Sequence, residues 1–373
     1  MQGYGGSEMT DPKVNAKDIY LSSSPHFRFG VSTRSIMLAV LIALLPECVY
    51  GVVIFGLRAL VTILVSVASC ILFEFLFQKI ARQKVCVDNL SAAVTGVLLA
   101  LVLPSTIPTW MVVVGAFVAV VIAKGLFGGI GSNVFNPALT GRAFMFMSFA
   151  AAMGASWFNP ASGADKWVWN VAGNVDAVSS ATILSQLKTG AASMDLETIG
   201  TYFFGNRAGC IGETSILLIL ISFGLLLAAR IIDWRAPLAM VGTVALMTFF
   251  SSLIGGRGLD GAGIDVLSAL VTGGLAFGAT FMVTDYATSP VTKPGRLIFG
   301  AGCGMITFLI RKFGGYPEGV MFSILIMNAV VPFLNKVAGR KYGYGKKACR
   351  RADVQKIARE YGLDVSSRSE ENK

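Results

Sequence analysis

A chain of 373 residues that is 54% hydrophobic and only 14% charged lies well below the roughly 25% charged residues of a soluble domain. Together with a mean hydropathy of +0.68, this excludes a water-soluble globular protein and marks an integral membrane protein. The net charge of +10 is what basic residues at membrane boundaries and anionic lipid require, so no nucleic-acid partner is expected.

In chain order, residues 1–33 read as a polar cytoplasmic segment without a cleavable signal peptide. About ten apolar stretches follow that could span a bilayer. The first five lie near 34–56, 59–80, 89–103, 108–124 and 136–155 and form a first block, 34–155. The third is short before Pro104, which suggests a half-helix or broken helix. A polar interval, 156–211, separates this block from a second one at 212–336. There the spans fall near 212–231, 236–255, 264–283, 295–311 and 318–336. Residues 337–373 form a basic tail. Lys and Arg concentrate on the side holding both termini, with the tail supplying nearly half of them. By the positive-inside rule, both termini are then cytoplasmic and the 156–211 loop is extracytoplasmic.

The two blocks share a repeat. Residues 88–98 read DNLSAAVTGVL and residues 265–275 read DVLSALVTGGL, identical at eight of eleven positions. These are the third and eighth spans. A shift of five helices turns the second copy upside down, so the expected fold is all-α, with two inverted five-helix repeats. Small residues recurring for close packing would explain the composition but not the matched order. Asp88 and Asp265 read as helix N-caps in preference to ion ligands.

A structureless loop as long as 156–211 usually has a function. Its most orderly part is Asp176-Ala177-Val178-Ser179-Ser180-Ala181-Thr182, which leads into a short expected helix. Ser179 or Ser180 is the N-cap, Ile183, Leu184 and Leu187 share a face, and Gly190 is the stop signal. Thr182 falls in the first turn, where free N–H groups and the helix dipole favour an anion such as phosphate.

Metal chemistry finds little support. The six cysteines form no C-x-x-C pair, and His26 is the one histidine, so neither a metal site nor a haem site is expected. Glu47 and Glu74 lie inside predicted spans, where an ionisable group is a functional candidate. They read as neutral caps or as partners of Arg142 or Lys124. Asp285 lies at a helix end, where capping suffices.

Several segments together resemble one family. The stretch 176–182 is similar to a D-x-x-[ST]-[GS]-A-T motif on which a periplasmic flavin transferase joins FMN to the threonine by a phosphoester. Ser180 stands where glycine is common. Residues 128–144, GGIGSNVFNPALTGRAF, resemble a second motif of the same proteins, as do Thr284-Asp285 with Ser289-Pro290, Ser24-Pro25-His26 and Arg34-Ser35-Ile36-Met37. The family is the RnfD membrane component of Rnf-type ion-translocating electron-transport complexes, with its relative, the NqrB component of the sodium-pumping NADH:quinone reductase. The resemblance covers roughly residues 22–336 and favours the Rnf branch.

The resemblance implies a subunit of an ion-translocating oxidoreductase in a prokaryotic inner membrane, passing electrons between ferredoxin and NAD and coupling them to Na+ or H+ movement. It implies covalent FMN on Thr182, with Asp176, Ser179, Ser180 and Ala181 as the attachment motif. Other subunits of the complex would be its partners, together with the transferase during maturation. The related reductase implies a second flavin within the helices, with riboflavin as the candidate. For Arg142 two readings stay open: a structural pair with a carboxylate or a snorkelling side chain, and a contact to a flavin phosphate or partner subunit. No strand-bounded G-x-G-x-x-G is present, so NAD binds elsewhere and no complete catalytic site is expected in this chain. The rival readings are a urea- or ammonium-like channel of similar repeat architecture and a non-redox scaffold.

Overall fold

A computed structural model describes residues 32–154, 196–205, 209–314 and 318–337. Their regular structure is helical, and no strand occurs among them beyond an isolated bridge between Pro104 and Cys210. Helix α1 (Thr33–Phe55) opens on Ser32, whose side chain accepts from the Ser35 N–H. It ends at Gly56, whose φ of 75° lets the chain turn directly into α2 (Leu57–Ile80).

Helix α3 (Ser91–Leu101) has only 11 residues, in line with the short third span, and every one except Ala93 is buried. A helix that is apolar all round belongs inside a bundle, and α3 packs against α1, α2 and α5. Helix α4 (Thr109–Phe117) runs on as a π-helical stretch, Val118–Gly125. After a glycine-rich turn comes α5 (Pro137–Ser148), where Asn136 caps the Leu139 N–H and proline occupies the first turn. The short α6 (Ala150–Gly154) and α7 (Leu196–Phe204) flank the residues that join the two blocks.

The second block begins with α8 (Ile216–Ala228) and α9 (Arg235–Ile254). Helix α10 (Gly258–Val271) breaks at residues 272–274 and resumes as α11 (Leu275–Phe277), which continues in π-helical form over Gly278–Met282. The two pieces meet at 61°. The eighth span, expected as one stretch over 264–283, is thus two helices. Gly273 and Gly274 both take positive φ there, a conformation that ends a helix. Helix α12 (Lys293–Phe313) starts on Thr292, which caps the Gly295 N–H, and α13 (Val320–Val337) completes the block.

Among the described residues, three helices (α1, α2 and α9) are long and apolar enough to cross a membrane by themselves, or four if the bent α10–α11 pair is one span. Further apolar sequence lies in shorter helices such as α3, α8 and the α4 segment. Apolar side chains also cover the outside: Ile80 is 80% and Ile254 88% exposed. Large apolar side chains exposed on the outside fit a hydrocarbon solvent.

The two copies of the repeated sequence share one local hydrogen bond, although the first opens α3 and the second ends α10. Thr95 Oγ1 donates to the Ser91 carbonyl at 2.9 Å, and Thr272 Oγ1 donates to the Ser268 carbonyl at 2.6 Å. Helix α2 packs chiefly on α3 and α4, and α9 on α10 and α12. The aspartates at the head of each copy differ from the capping expectation. Asn89, not Asp88, accepts the Ser91 N–H at 2.9 Å. Asp265 sits inside α10, where it pairs with Arg257 at 2.6 Å and accepts from Ser252 at 2.7 Å. The helix begins at Gly258, well upstream of the repeat, so its N-terminus lies elsewhere.

Small residues set the close approaches. Gly300 and Gly304 lie one turn apart on α12 and face the backbone carbonyls of Ala236 and Met240 on α9. A Cβ at Gly304 would stand 2.5 Å from the Met240 oxygen, and Gly300 has still less room. This is the small-xxx-small packing of membrane helices. Replacing Gly300 by valine is expected to cost about 1–3 kcal/mol of packing and to lower the thermal midpoint of the detergent-solubilised protein. Gly242→Ala, with nothing within 4 Å of the new methyl, serves as the unaffected control.

Candidate functional site

Among the described residues, a cavity of about 390 Å³ with polar groups in its lining lies between the two blocks. Its walls come from the start of α1, from α3, from the loops that follow the two π-helical stretches, and from the end of α13. Each loop precedes a capped, proline-led helix, α5 in one case and α12 in the other. The first contributes Asn133 and Asn136, and the second contributes Thr284, Asp285 and Ser289. Ile36, Met37, Val94, Leu98 and Phe281 supply apolar wall.

These polar groups are held in place. Asn133 Nδ2 donates to the Phe135 carbonyl at 3.1 Å. Asn136 caps α5 through Oδ1, while its Nδ2 has only the Met282 sulfur at 3.8 Å, a weak acceptor. Asp285 accepts from Thr288 Oγ1 at 3.0 Å. Asn328 on α13 joins the two loops. With its amide oriented to suit its neighbours, it donates to the Thr288 carbonyl and accepts from the Asn136 N–H, both at 3.2 Å. At the rim, the Tyr286 hydroxyl donates to the Ile231 carbonyl. Asp233 pairs there with both Arg235 and Arg296 at 2.9 Å. Partial desolvation opposes ionisation of Asp233, but the bonds from the two arginines outweigh it and hold its carboxyl below the usual carboxylate range.

Lys124 is buried at the edge of this cavity, on the π-helical stretch. Its Nζ donates to Glu74 Oε2 at 2.9 Å and to the Ser91 hydroxyl. Of the pairings open for Glu74 from the sequence, the structure selects Lys124. Single π-helical turns concentrate at functional sites. Here the π-helical stretch carries this buried lysine beside the cavity. Lys124 and Asp285 thus place a basic and an acidic group in the cavity lining, along with neutral amides and hydroxyls.

A second charged cluster surrounds Arg142 on α5. Its guanidinium reaches Glu318 Oε2 at 2.6 Å, Cys210 Sγ at 3.5 Å and Glu213 at 3.9 Å. Arg142 therefore has the carboxylate partner foreseen in one of its two readings. Cys210, Glu213 and Glu318 lie close enough together to hold a metal ion. The guanidinium already brings a positive charge among them, so a metal would have to displace it. Thr182, Asp176, Ser179, Ser180 and Ala181 lie outside the described residues.

The broken helix beside this cluster has a charge at each end. Arg311 donates to the carbonyls of Ala269 (2.7 Å), Thr272 (3.0 Å) and Gly273 (3.1 Å) at the carboxyl end of α10. Glu213 packs against Gly274, at the start of α11, so closely that no Cβ fits. Cation at the carboxyl end and anion at the amino end is the arrangement helix dipoles favour.

The segments that build this cavity belong to a known family of membrane proteins. Residues 20–343 match the model of the NQR2, RnfD, RnfE family. The chain belongs to this family. It is 39% identical over 335 residues to the D-type subunit of a proton-translocating ferredoxin:NAD(+) oxidoreductase complex from Clostridium ljungdahlii, covering 88% of this chain and 97% of that one. It is 40% identical over 335 residues to the corresponding subunit of a Na(+)-translocating ferredoxin:NAD(+) oxidoreductase complex from Acetobacterium woodii, covering 89% and 98%. The D-type subunit of an ion-translocating oxidoreductase complex from Stutzerimonas stutzeri is 39% identical over 339 residues, covering 85% and 93%. The motif at 128–144 and the Thr284-Asp285 pair meet at the cavity. Their sequences marked them as segments but held no sign that they share one wall.

The Lys124–Glu74 pair carries a testable consequence. Lys124→Met strands a buried carboxylate, and breaking such a pair costs about 3–5 kcal/mol. The variant is expected to accumulate poorly in membranes. Adding Glu74→Leu removes the stranded charge and is expected to restore accumulation on immunoblots. A double variant as poor as the single one would show that the pair matters for more than charge balance.

Proposed function

We propose that this chain is a membrane subunit of a redox-driven ion pump that carries electrons on flavin and couples their passage, from ferredoxin to NAD in the whole complex, to Na+ or H+ movement. The observation carrying this reading is the near full-length match to the D-type subunits of two such complexes, one named for protons and one for sodium. In this reading the fold is two inverted five-helix repeats with about ten spans. Both termini are cytoplasmic, and residues 156–211 form an extracytoplasmic loop. Thr182 holds FMN through a phosphoester made by a flavin transferase, within the motif Asp176, Ser179, Ser180, Ala181. Neighbouring subunits of the complex complete the electron path.

The cavity suits a second, non-covalent flavin, with riboflavin as the candidate. Its 390 Å³ lies in the size range of small-molecule pockets. The pyrimidine edge of a flavin alternates acceptors with an N–H donor. The cavity offers matching groups: donors on Lys124, Asn133 and Asn136, acceptors on Asp285 and the asparagine carbonyls, and apolar wall for the ring face. Bound flavin would supply one- and two-electron transfer. The chain's own part is to orient it, exclude water with Val94, Leu98 and Phe281, and set the local field. A positive charge about 5 Å from an added electron stabilises it by roughly 3 kcal/mol at an effective dielectric of 20, less whatever Glu74 offsets. Arg142, paired to Glu318, would act on the redox path by holding the blocks together, unless a phosphate draws it away.

Two experiments test these assignments. Expressed with the transferase, the wild-type chain is expected to give a fluorescent band on a denaturing gel, and Thr182→Ala none. Persistent fluorescence in the variant would move the attachment point, and a dark wild-type band would favour a channel. Separately, Asn136→Leu is expected to release most of the acid-extractable flavin while leaving the covalent band. Unchanged extractable flavin would place the second flavin outside this cavity.

A further inference from the structure

Among the described residues three glutamates are buried: Glu47, Glu74 and Glu213. Glu74 has Lys124 and Glu213 has Arg142. Glu47, 3% exposed, has no basic partner among them, and neither of its carboxylate oxygens has a hydrogen bond. It lies on the buried face of α1 beside Ser222 of α8, so the contact joins the first block to the second. Ser222 is itself fully buried, and its hydroxyl proton is committed to the Ala43 carbonyl at 2.7 Å. Its oxygen lone pairs remain free to accept.

Few charges can influence this carboxyl. On α1 the titratable groups are Cys48, Tyr50 and, at the far amino end of the helix, Arg34. Helices α3 and α8 carry none. On α2 they are Arg58, Cys70, Glu74 and Lys79, with Glu74 already paired to Lys124. The two short 3₁₀ turns against α1 bring Asp88 and Glu213, neither of them a cation. An ionised carboxylate stripped of water and of any cation is costly, whereas the neutral acid needs only one acceptor. A hard metal ion takes about six oxygens or more. Two carboxylate oxygens and one serine fall short of that.

We propose that Glu47 is a proton-binding site at the contact between α1 and α8. One carboxylate oxygen holds a proton and donates it to Ser222 Oγ. When that contact opens to water, the O–H bond breaks, the proton passes to water and a carboxylate remains. Pro46, next in the chain, has no N–H to give the Ile42 carbonyl, which loosens α1 at this level. The proposal rests on the pump reading only for what would drive the opening.

The assembled complex in membrane vesicles provides the test, with dicyclohexylcarbodiimide as probe. A protonated carboxyl in apolar surroundings adds across the carbodiimide and rearranges to a stable acylurea. Peptide mass spectrometry is expected to find that adduct on residue 47, to see it decline as pH rises, and to find it indifferent to Na+. Glu47→Gln is expected to lose it, and Glu47→Asp to keep it. The infrared difference between wild type and Glu47→Gln is expected to contain a carboxylic-acid C=O band at neutral pH. A carboxylate band in its place would overturn the proposal, as would protection of residue 47 by Na+ at constant pH. Flavin measured in the same samples judges the pump reading separately: flavin without the acid band refutes the proton site alone, and the acid band without flavin refutes the pump reading alone.

Discussion

The structure depends on one constraint: a polar group withdrawn from water inside an apolar bundle must find its partner within the protein. The break between α10 and α11 shows what this demands. Ending a helix in such surroundings exposes carbonyls at one end and N–H groups at the other. Arg311 covers the carbonyls of Ala269, Thr272 and Gly273, and Glu213 meets the start of α11 at Gly274. Glu213 also neighbours Arg142, which holds Glu318. One broken helix therefore recruits charges from α5, α12, the 209–213 segment and the approach to α13.

The cavity follows from the same requirement. The loops after the two π-helical stretches carry polar backbone between apolar helices, and they tolerate it because they line a space together. Asn136, Thr292 and Asn328 satisfy the loop ends. What remains facing inward is a set of groups with spare capacity, among them the Asn136 amide and the Lys124 ammonium. The cavity with its inward-facing polar groups is thus a by-product of how the helices are terminated. Lys124 joins its lining from the π-helical end of α4.

Glu47 is the counterexample that gives the constraint its use. Glu74 and Glu213 obey it by pairing. Glu47 obeys it only if it is a neutral acid, and its location between blocks makes that neutrality sensitive to how the blocks sit. Burial without a partner is difficult to justify by stability alone, because a leucine of similar size would pack without desolvating anything.

Much of the fold was legible in the sequence, and particular residues show why. Apolar runs with capping serines, Pro137 after Asn136, and the Ser91/Thr95 and Ser268/Thr272 matches are local signals that fix helices and their starts. The shortness of α3 was readable from Pro104. The break in α10 was not: Gly273 is shared with the intact first copy as Gly96, and only the neighbours Arg311 and Glu213 make an interruption tolerable. Similarly, chain order offered Glu74 two basic partners and left Arg142 between two roles. Sequence alone determined the membrane class, the two blocks, the family motifs and the candidate threonine, because these depend on composition, order and spacing. Tertiary structure decided which charges meet, which carboxyl is left without a partner, and that two loops some 150 residues apart form one wall, because those outcomes depend on distances that no local pattern encodes.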